Sequence, residues 1–195
     1  GMVNSFIFIG NLKIFIPAIG GKVTKYFYLC LTKFHIITMA SNKYCVIMAG
    51  GIGSRFWPKS RQSMPKQFLD IMGTGKSFLR HTFERFSPLV LDENFIVVTN
   101  RRYKELIRNI LPEIREEQIL CEPIGRNTAP AIAYAAYWLR KHDPEAQMIV
   151  TPADHWVVDE EGFRSIIGEC LDFVTGHDAL MTVGIRPTRP ETGYG

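Results

Sequence analysis

The sequence predicts an α/β fold in which a mostly parallel sheet carries helices on both faces. Three observations predict it. Short apolar or β-branched runs of strand length recur along the chain, longer segments with helical spacing separate them, and the chemically richest residues follow the strands. Repeated β–α units of this kind favour right-handed crossovers and parallel pairing.

Taken in order, Tyr44-Cys45-Val46-Ile47-Met48-Ala49 reads as a buried strand, and Gly50, Gly51 and Gly53 form a turn after it. A tight turn is expected at Gly73–Gly75. The helix that follows, over 77–89 and entered near Ser77, places Phe78, Leu79, Phe83 and Phe86 on one side. Residues 94–99 form a β-branched strand. Asn100 can cap a short helix running to about Ile110, which Pro112 stops. A strand over 118–122 precedes an alanine-rich helix over 128–142, whose terminal Arg140, Lys141 and His142 suit a helix C-terminus. After a strand over 148–151, the stripe Phe163, Ile166, Ile167, Cys170, Leu171 and Val174 defines an amphipathic helix closed by Gly176. Residues 179–185 give a last strand. Counting strands from Lys43, Gly50 follows the first, Glu122 the third and Asp154 the fourth. In parallel sheets ligands bind outside the carboxyl ends of the strands, so these three residues are expected to share one edge.

At 195 residues the chain can bury a real core in one α/β domain. The net charge of +4 is unevenly spread: residues 1–69 hold nine Lys/Arg and no acid, and residues 70–195 hold fourteen against nineteen Asp/Glu. A nucleic-acid binder needs a basic face throughout, and this body is mildly acidic. Cys30, Cys45, Cys121 and Cys170 have no CxxC spacing and read as buried free thiols of a reducing, cytoplasmic setting. Zinc is disfavoured because no His/Cys ligand spacing occurs. Apolar clusters in residues 1–38 are broken by Gly10, Pro17 and Gly20-Gly21, so no run is long enough to cross a bilayer, and no secretory leader pattern is present. Met39-Ala40-Ser41-Asn42-Lys43 looks like a natural start, which makes 1–38 a non-native or upstream extension; the competing reading is an edge strand or a membrane-surface anchor.

The loop GGIGSRFWPKSRQSMPKQF, residues 50–68, concentrates the chemistry. Its glycines let the backbone lie close to a ligand, while Arg55, Lys59, Arg61 and Lys66 have no acid near them in sequence before Asp70. A strand ending in such a turn suits a polyphosphate, held by backbone N–H groups and cations. Two other phosphate motifs fail. Gly51–Phe56 begins like the dinucleotide fingerprint GxGxxG, but Phe56 stands where its third glycine is required. Asp70–Ser77 is a Walker A string with its first glycine replaced by Asp70, whose carboxylate would repel phosphate.

The wording of the loop resembles the sugar-1-phosphate nucleotidyltransferases, and among them the mannose-1-phosphate guanylyltransferases, whose signature GGxGxRxWPxSRxxxPKQF is met at every fixed position. The segments EPIGRNTAPAIA from Glu122, PADH from Pro152 and PETGYG from Pro190 resemble further elements of that family. The resemblance implies a Rossmann-like fold of the nucleotide-diphospho-sugar transferase type. It covers about 43–195, so that 39–195 would be the N-terminal part of the catalytic domain, truncated inside PETGYG. It implies transfer of GMP from GTP to mannose 1-phosphate, giving GDP-mannose and pyrophosphate. It further implies Arg55, Lys66 and Asp154 as catalytic residues, with Asp154 as the Mg²⁺ ligand. Gly50, Gly51, Gly53, Ser54, Glu122, Gly125, Arg126, Asn127, Thr128 and Gly193 become candidates for binding nucleotide or sugar phosphate. Asn127 or Thr128 can equally be a helix cap, and Asp154 a turn former. No nucleic-acid or membrane partner is implied, and a homodimer is compatible. Two alternatives stand beside this reading: another sugar-1-phosphate nucleotidyltransferase, and a nucleotide-binding fragment without turnover.

Overall fold

A computed structural model describes residues 8–11, for which the backbone alone is considered, together with 42–51 and 57–184. In chain order the strands are β1 (Phe8–Asn11), β2 (Lys43–Met48), β3 (Phe95–Asn100), β4 (Ile119–Glu122), β5 (Gln147–Pro152) and β6 (Leu180–Thr182). The helices are α1 (Phe78–Phe86), α2 (Lys104–Ile110), α3 (Thr128–His142) and α4 (Glu160–Gly176).

The strands form one sheet in the order β4-β3-β2-β5-β1-β6. β2 runs parallel to both β3 and β5, and β3 runs parallel to β4, which makes a four-strand parallel block. β1 lies antiparallel between β5 and β6, with Ile9 opposite Ile149 on one side and Met181 on the other. Part of the segment that the sequence sets apart as an extension is therefore an interior strand of this sheet.

Alternation along the strands divides the core between two faces. Cys45, Ile47, Phe95, Val97 and Ile149 pack with Leu79, Phe83 and Phe86 of α1, Ile107 of α2, and Ile167, Leu171 and Val174 of α4. Val46, Ile96, Val98 and Val150 pack with Ala131, Ala135 and Leu139 of α3. The predicted two-faced α/β architecture is thus present. The Ser77 hydroxyl caps α1, accepting from Arg80 N at 3.3 Å, and Asn100 Oδ1, accepting from Arg102 N at 3.2 Å, caps the 3-10 turn Arg101–Tyr103 that leads into α2.

Four local expectations are corrected. Gly176 is the last residue of α4 and His177 is the C-cap, with its ring stacked on Phe173 at 4.2 Å. Among the described residues the last strand is limited to Leu180–Thr182. Asn127 occupies the N-cap position of α3, but its side chain makes no capping hydrogen bond. Its φ of 67° takes it out of the β region from which a capping side chain reaches the first turn. Thr128, the other cap candidate, is the first residue inside α3.

The Gly73–Gly75 turn forms as expected, with φ values of 70° and 80° at its two glycines. Asp70 accepts from Thr74 N at 3.0 Å and from Gly75 N at 2.7 Å, so a carboxylate already fills this nest. Cys45 and Cys170 are buried and unpaired, and Cys121 is a half-buried free thiol. Cys30 lies outside the described residues. Among the described residues no helix is long and apolar enough to cross a membrane.

Leu171 is fully buried between α4 and the sheet. Leu171→Ala should lower unfolding stability by about 2–5 kcal/mol through lost transfer energy and a residual cavity, as read from a urea melt. A loss below about 1 kcal/mol would show that α4 is not docked as described.

Candidate functional site at the carboxyl edge of the sheet

Parallel register decides which loops meet. The ladder runs one residue beyond β2, where Ala49 N donates to Val98 O at 2.8 Å, and beyond β5, where Ala153 N donates to Met48 O at 3.1 Å. Gly50 and Asp154 therefore leave neighbouring, hydrogen-bonded strands at the same edge. Glu122 ends β4 and lies beside Asn100 of β3. Its Oε2 is 3.1 Å from the point a Cβ on Gly50 would occupy, so a larger residue at 50 would press on that carboxylate.

The glycine turn departs from Gly50 and the exposed Gly51, while Gly53, Ser54 and Arg55 fall outside the described residues. Gly193 does so as well. The chain returns through residues 57–65 to a single 3-10 turn over Lys66–Phe68. Phe68 packs on Tyr103 at 5.4 Å between ring centres, and the Tyr103 hydroxyl donates to Gln62 O at 2.8 Å.

That anchored turn places Lys66 against Asp154 in an ion pair whose two side chains are each 16% exposed. Lys66 is thus not an unneutralised cation, as the acid-free stretch before Asp70 suggested. Its counter-ion arrives from the loop after β5, which only the tertiary fold brings near. Lys59 and Arg61 are exposed. The adjacent Gln67 is 3% exposed, and its Nε2 donates to Ala49 O at 3.0 Å and to Gly51 O at 2.8 Å.

The loop bearing Asp154 is held from behind by α1. Thr82 Oγ1 donates to Ala153 O at 3.4 Å, and an Arg85 guanidinium nitrogen donates to His155 O at 3.0 Å. Arg85 is 1% exposed and also donates to Glu160 Oε1 at 3.2 Å, linking α1, the Asp154 loop and the start of α4. Burial pulls the Arg85 pKa below its usual value, while the Glu160 carboxylate pulls it back. His155 is lowered by burial, with Asp154 opposing and Arg85 and Lys66 adding to the shift. Glu122 is raised by burial, and among the described residues no cation pairs with it.

Gly125, Arg126, Asn127 and Thr128 lie exposed between β4 and the first turn of α3. They share the sheet edge with Glu122. Among the described residues, no three His, Cys, Asp or Glu side chains cluster as a metal cage. The sequence pattern did not single out Thr82 or Arg85, and it contained Gln67 only as a letter of the PKQF wording, with no role. For Arg85 a signal existed: it falls seven residues after Phe78, on the apolar side of α1, where a cation must find buried partners.

Comparison with known proteins places this edge in context. The nucleotidyl transferase family model matches residues 44–195. The Escherichia coli K12 mannose-1-phosphate guanylyltransferase is 41% identical over 162 residues, covering 80% of this chain and 33% of that protein. The Salmonella muenchen protein of the same name is 44% identical over 154 residues, covering 77% and 32%. The chain thus spans about a third of the length of these curated relatives. Among solved structures, the Thermus thermophilus mannose-1-phosphate geranyltransferase superposes with a TM-score of 0.61 at 36% identity, covering 68% of this chain and 38% of its own. The Helicobacter pylori mannose-6-phosphate isomerase gives a TM-score of 0.54 at 28% identity, covering 69% and 47%. With the family model matching nearly all of the chain from β2 onward, the chain belongs to the nucleotidyl transferase family.

Proposed function

We propose that this chain is the nucleotide-binding front of a mannose-1-phosphate guanylyltransferase, which transfers GMP from GTP to mannose 1-phosphate. One observation carries the reading: the glycine turn, Lys66 and Asp154 converge on the carboxyl edge of a parallel sheet, where a triphosphate would lie. The names of the relatives favour the guanylyl branch and the mannose substrate.

In the reaction an ionised oxygen of the sugar phosphate attacks the α-phosphorus of GTP in line. A new P–O bond forms while the bond from that phosphorus to the bridging oxygen breaks, and pyrophosphate leaves. The sugar phosphate is itself the nucleophile, so positioning and charge neutralisation supply the catalysis. Gly50 and Gly51, with Gly53, Ser54 and Arg55 by family resemblance, hold the triphosphate. Asp154 offers a hard oxygen donor suited to Mg²⁺, which commonly takes one or two carboxylates and completes its shell with phosphate and water oxygens. Such an ion would supply charge neutralisation at the phosphates. Lys66 then exchanges Asp154 for phosphate, so that their pairing keeps both groups compensated until substrate arrives.

Glu122 accepts donors from the guanine edge, and Gly125, Arg126, Asn127 and Thr128 line the same side of the pocket. Gly193, in the PETGYG segment, is assigned to the sugar-phosphate side by resemblance.

Calorimetry of the 195-residue chain with Mg²⁺ should show GTP binding at least about tenfold more tightly than ATP or UTP. Equal affinities would sink the guanylyl assignment. Binding with no pyrophosphate release would mark this chain alone as a nucleotide-binding part. In a protein continued to the length of the relatives, Lys66→Ala should cut turnover by ~10²–10³, as for loss of other donors to transition-state charge. A loss under about tenfold would make Lys66 part of the scaffold.

The Glu122 carboxyl gives a separate check. Its pKa is raised in the folded protein, so the folded state holds that proton more tightly than the unfolded state. Its contribution to stability is therefore lost as pH rises from the ordinary carboxylate value of 4.5 through the raised one. Thermal melts without nucleotide should show Glu122→Gln gaining on wild type across that interval. A pH-independent difference would contradict the burial of this group.

A further inference from the structure

We propose that Gln67 is the positioning residue of the phosphate loop, acting on the triphosphate part of the ligand through the backbone it holds. The inference rests on the proposed nucleotide reading and adds to it a group that touches no ligand itself. Gln67 is 3% exposed and sits on the 3-10 turn between Lys66 and Phe68. Both hydrogens of its amide are used, one on the carbonyl of Ala49 and one on that of Gly51, at 3.0 and 2.8 Å. Thr99 Oγ1 adds a second donor to Ala49 O at 3.1 Å.

A peptide group is planar and trans, so its carbonyl and its N–H point in opposite directions. Drawing the Ala49 carbonyl inward, toward Gln67 and Thr99, turns the Gly50 N–H outward, and that N–H has no partner among the described residues. Glycine-rich backbone has many conformations to lose, and a nest of N–H donors binds anions well only when already arranged. The side-chain amide fixes the Ala49–Gly51 stretch from the protein interior. Its neutrality fits the buried position: a cation there would need a carboxylate, and a carboxylate would repel the two carbonyls.

This role makes a prediction that general packing does not. Gln67→Met keeps length and volume and removes both donors. Affinities for guanosine, GDP and GTP, measured by calorimetry with Mg²⁺, should then separate. Guanosine binding should match wild type, and the gain from guanosine to GTP should shrink about tenfold, the scale of two lost hydrogen bonds. A Gln67→Met protein with the wild-type gain would overturn the proposal and leave the nucleotide reading standing. A wild-type protein that gains nothing from added phosphates would overturn both. If Gln67→Met does not fold by circular dichroism, Thr99→Val serves instead. It removes one donor from Ala49 O and should give a smaller loss confined to the phosphates, whereas an equal loss for guanosine and GTP, or no loss, would overturn the proposal.

Discussion

The parallel pairing of β2 with a strand on each side is the constraint on which the rest depends. Because β3 and β5 both run with β2, the chain leaves all three strands at one edge. Reversing any one of them would send its loop to the far end of the sheet. The register is specific as well as the direction. Met48 stands opposite Val98 and Pro152, so the first peptides beyond the strands still bond to one another. Gly50 and Asp154 emerge from that zone before either loop has room to wander. Adding β4 to the far side of β3 brings Glu122 to the same edge and against Gly50.

Gathering groups at an edge does not orient them, and orientation comes from buried polar side chains reaching up from the core. Thr82 and Arg85 hold the carbonyls on either side of Asp154, and Gln67 and Thr99 hold the start of the glycine turn. Each is nearly inaccessible to solvent, where an unpaired polar atom is costly. That cost makes the contacts selective: the loops have few other positions in which these side chains remain satisfied. Arg85 is the extreme case, a buried guanidinium that shares itself between a carboxylate and a carbonyl while lying over the Phe163 ring.

Much of the fold was legible because it depends on spacing. Alternating strands and helical stripes need only the local chain, and Ser77 announced α1, as Asn100 announced the 3-10 turn that leads into α2, because each acts on a residue two or three ahead. Motif wording likewise pointed to Gly50, Lys66, Glu122 and Asp154, and geometry placed three of them on a shared edge. What escaped depends on distant partners or unusual backbone. The acid-free stretch around Lys66 suggested a bare cation because Asp154 is remote in sequence. Asn127 has a capping side chain but a backbone with positive φ, which residue type alone does not disclose. The PKQF wording included Gln67 but disclosed no role for it, since its burial follows from neighbours that pin the turn, Phe68 among them. The apolar runs near the N-terminus left an edge strand open but gave no sign that Phe8–Asn11 would lie between β5 and β6, a pairing that is wholly non-local.

Lys66 and Gln67 show how one short turn can serve a fixed and a changeable contact together. Neighbouring residues of a 3-10 turn point in different directions, and here one reaches Asp154 while the other turns into the protein. The two environments suit different duties. A neutral amide satisfied by two carbonyls gains little from a passing ligand and stays in place. An ion pair that still meets water is more weakly held, because solvent screens it and can accept either partner. Under the proposed function, a triphosphate and its cation would offer Lys66 and Asp154 replacement partners of the proper sign, and such an exchange would leave neither charge stranded. Had the two residues been interchanged, the buried position would hold a charge without a carboxylate beside it, and the partly exposed one would meet Asp154 with only a weak dipole. The order Lys-Gln therefore places the charge against Asp154 and the amide against the carbonyls of Ala49 and Gly51.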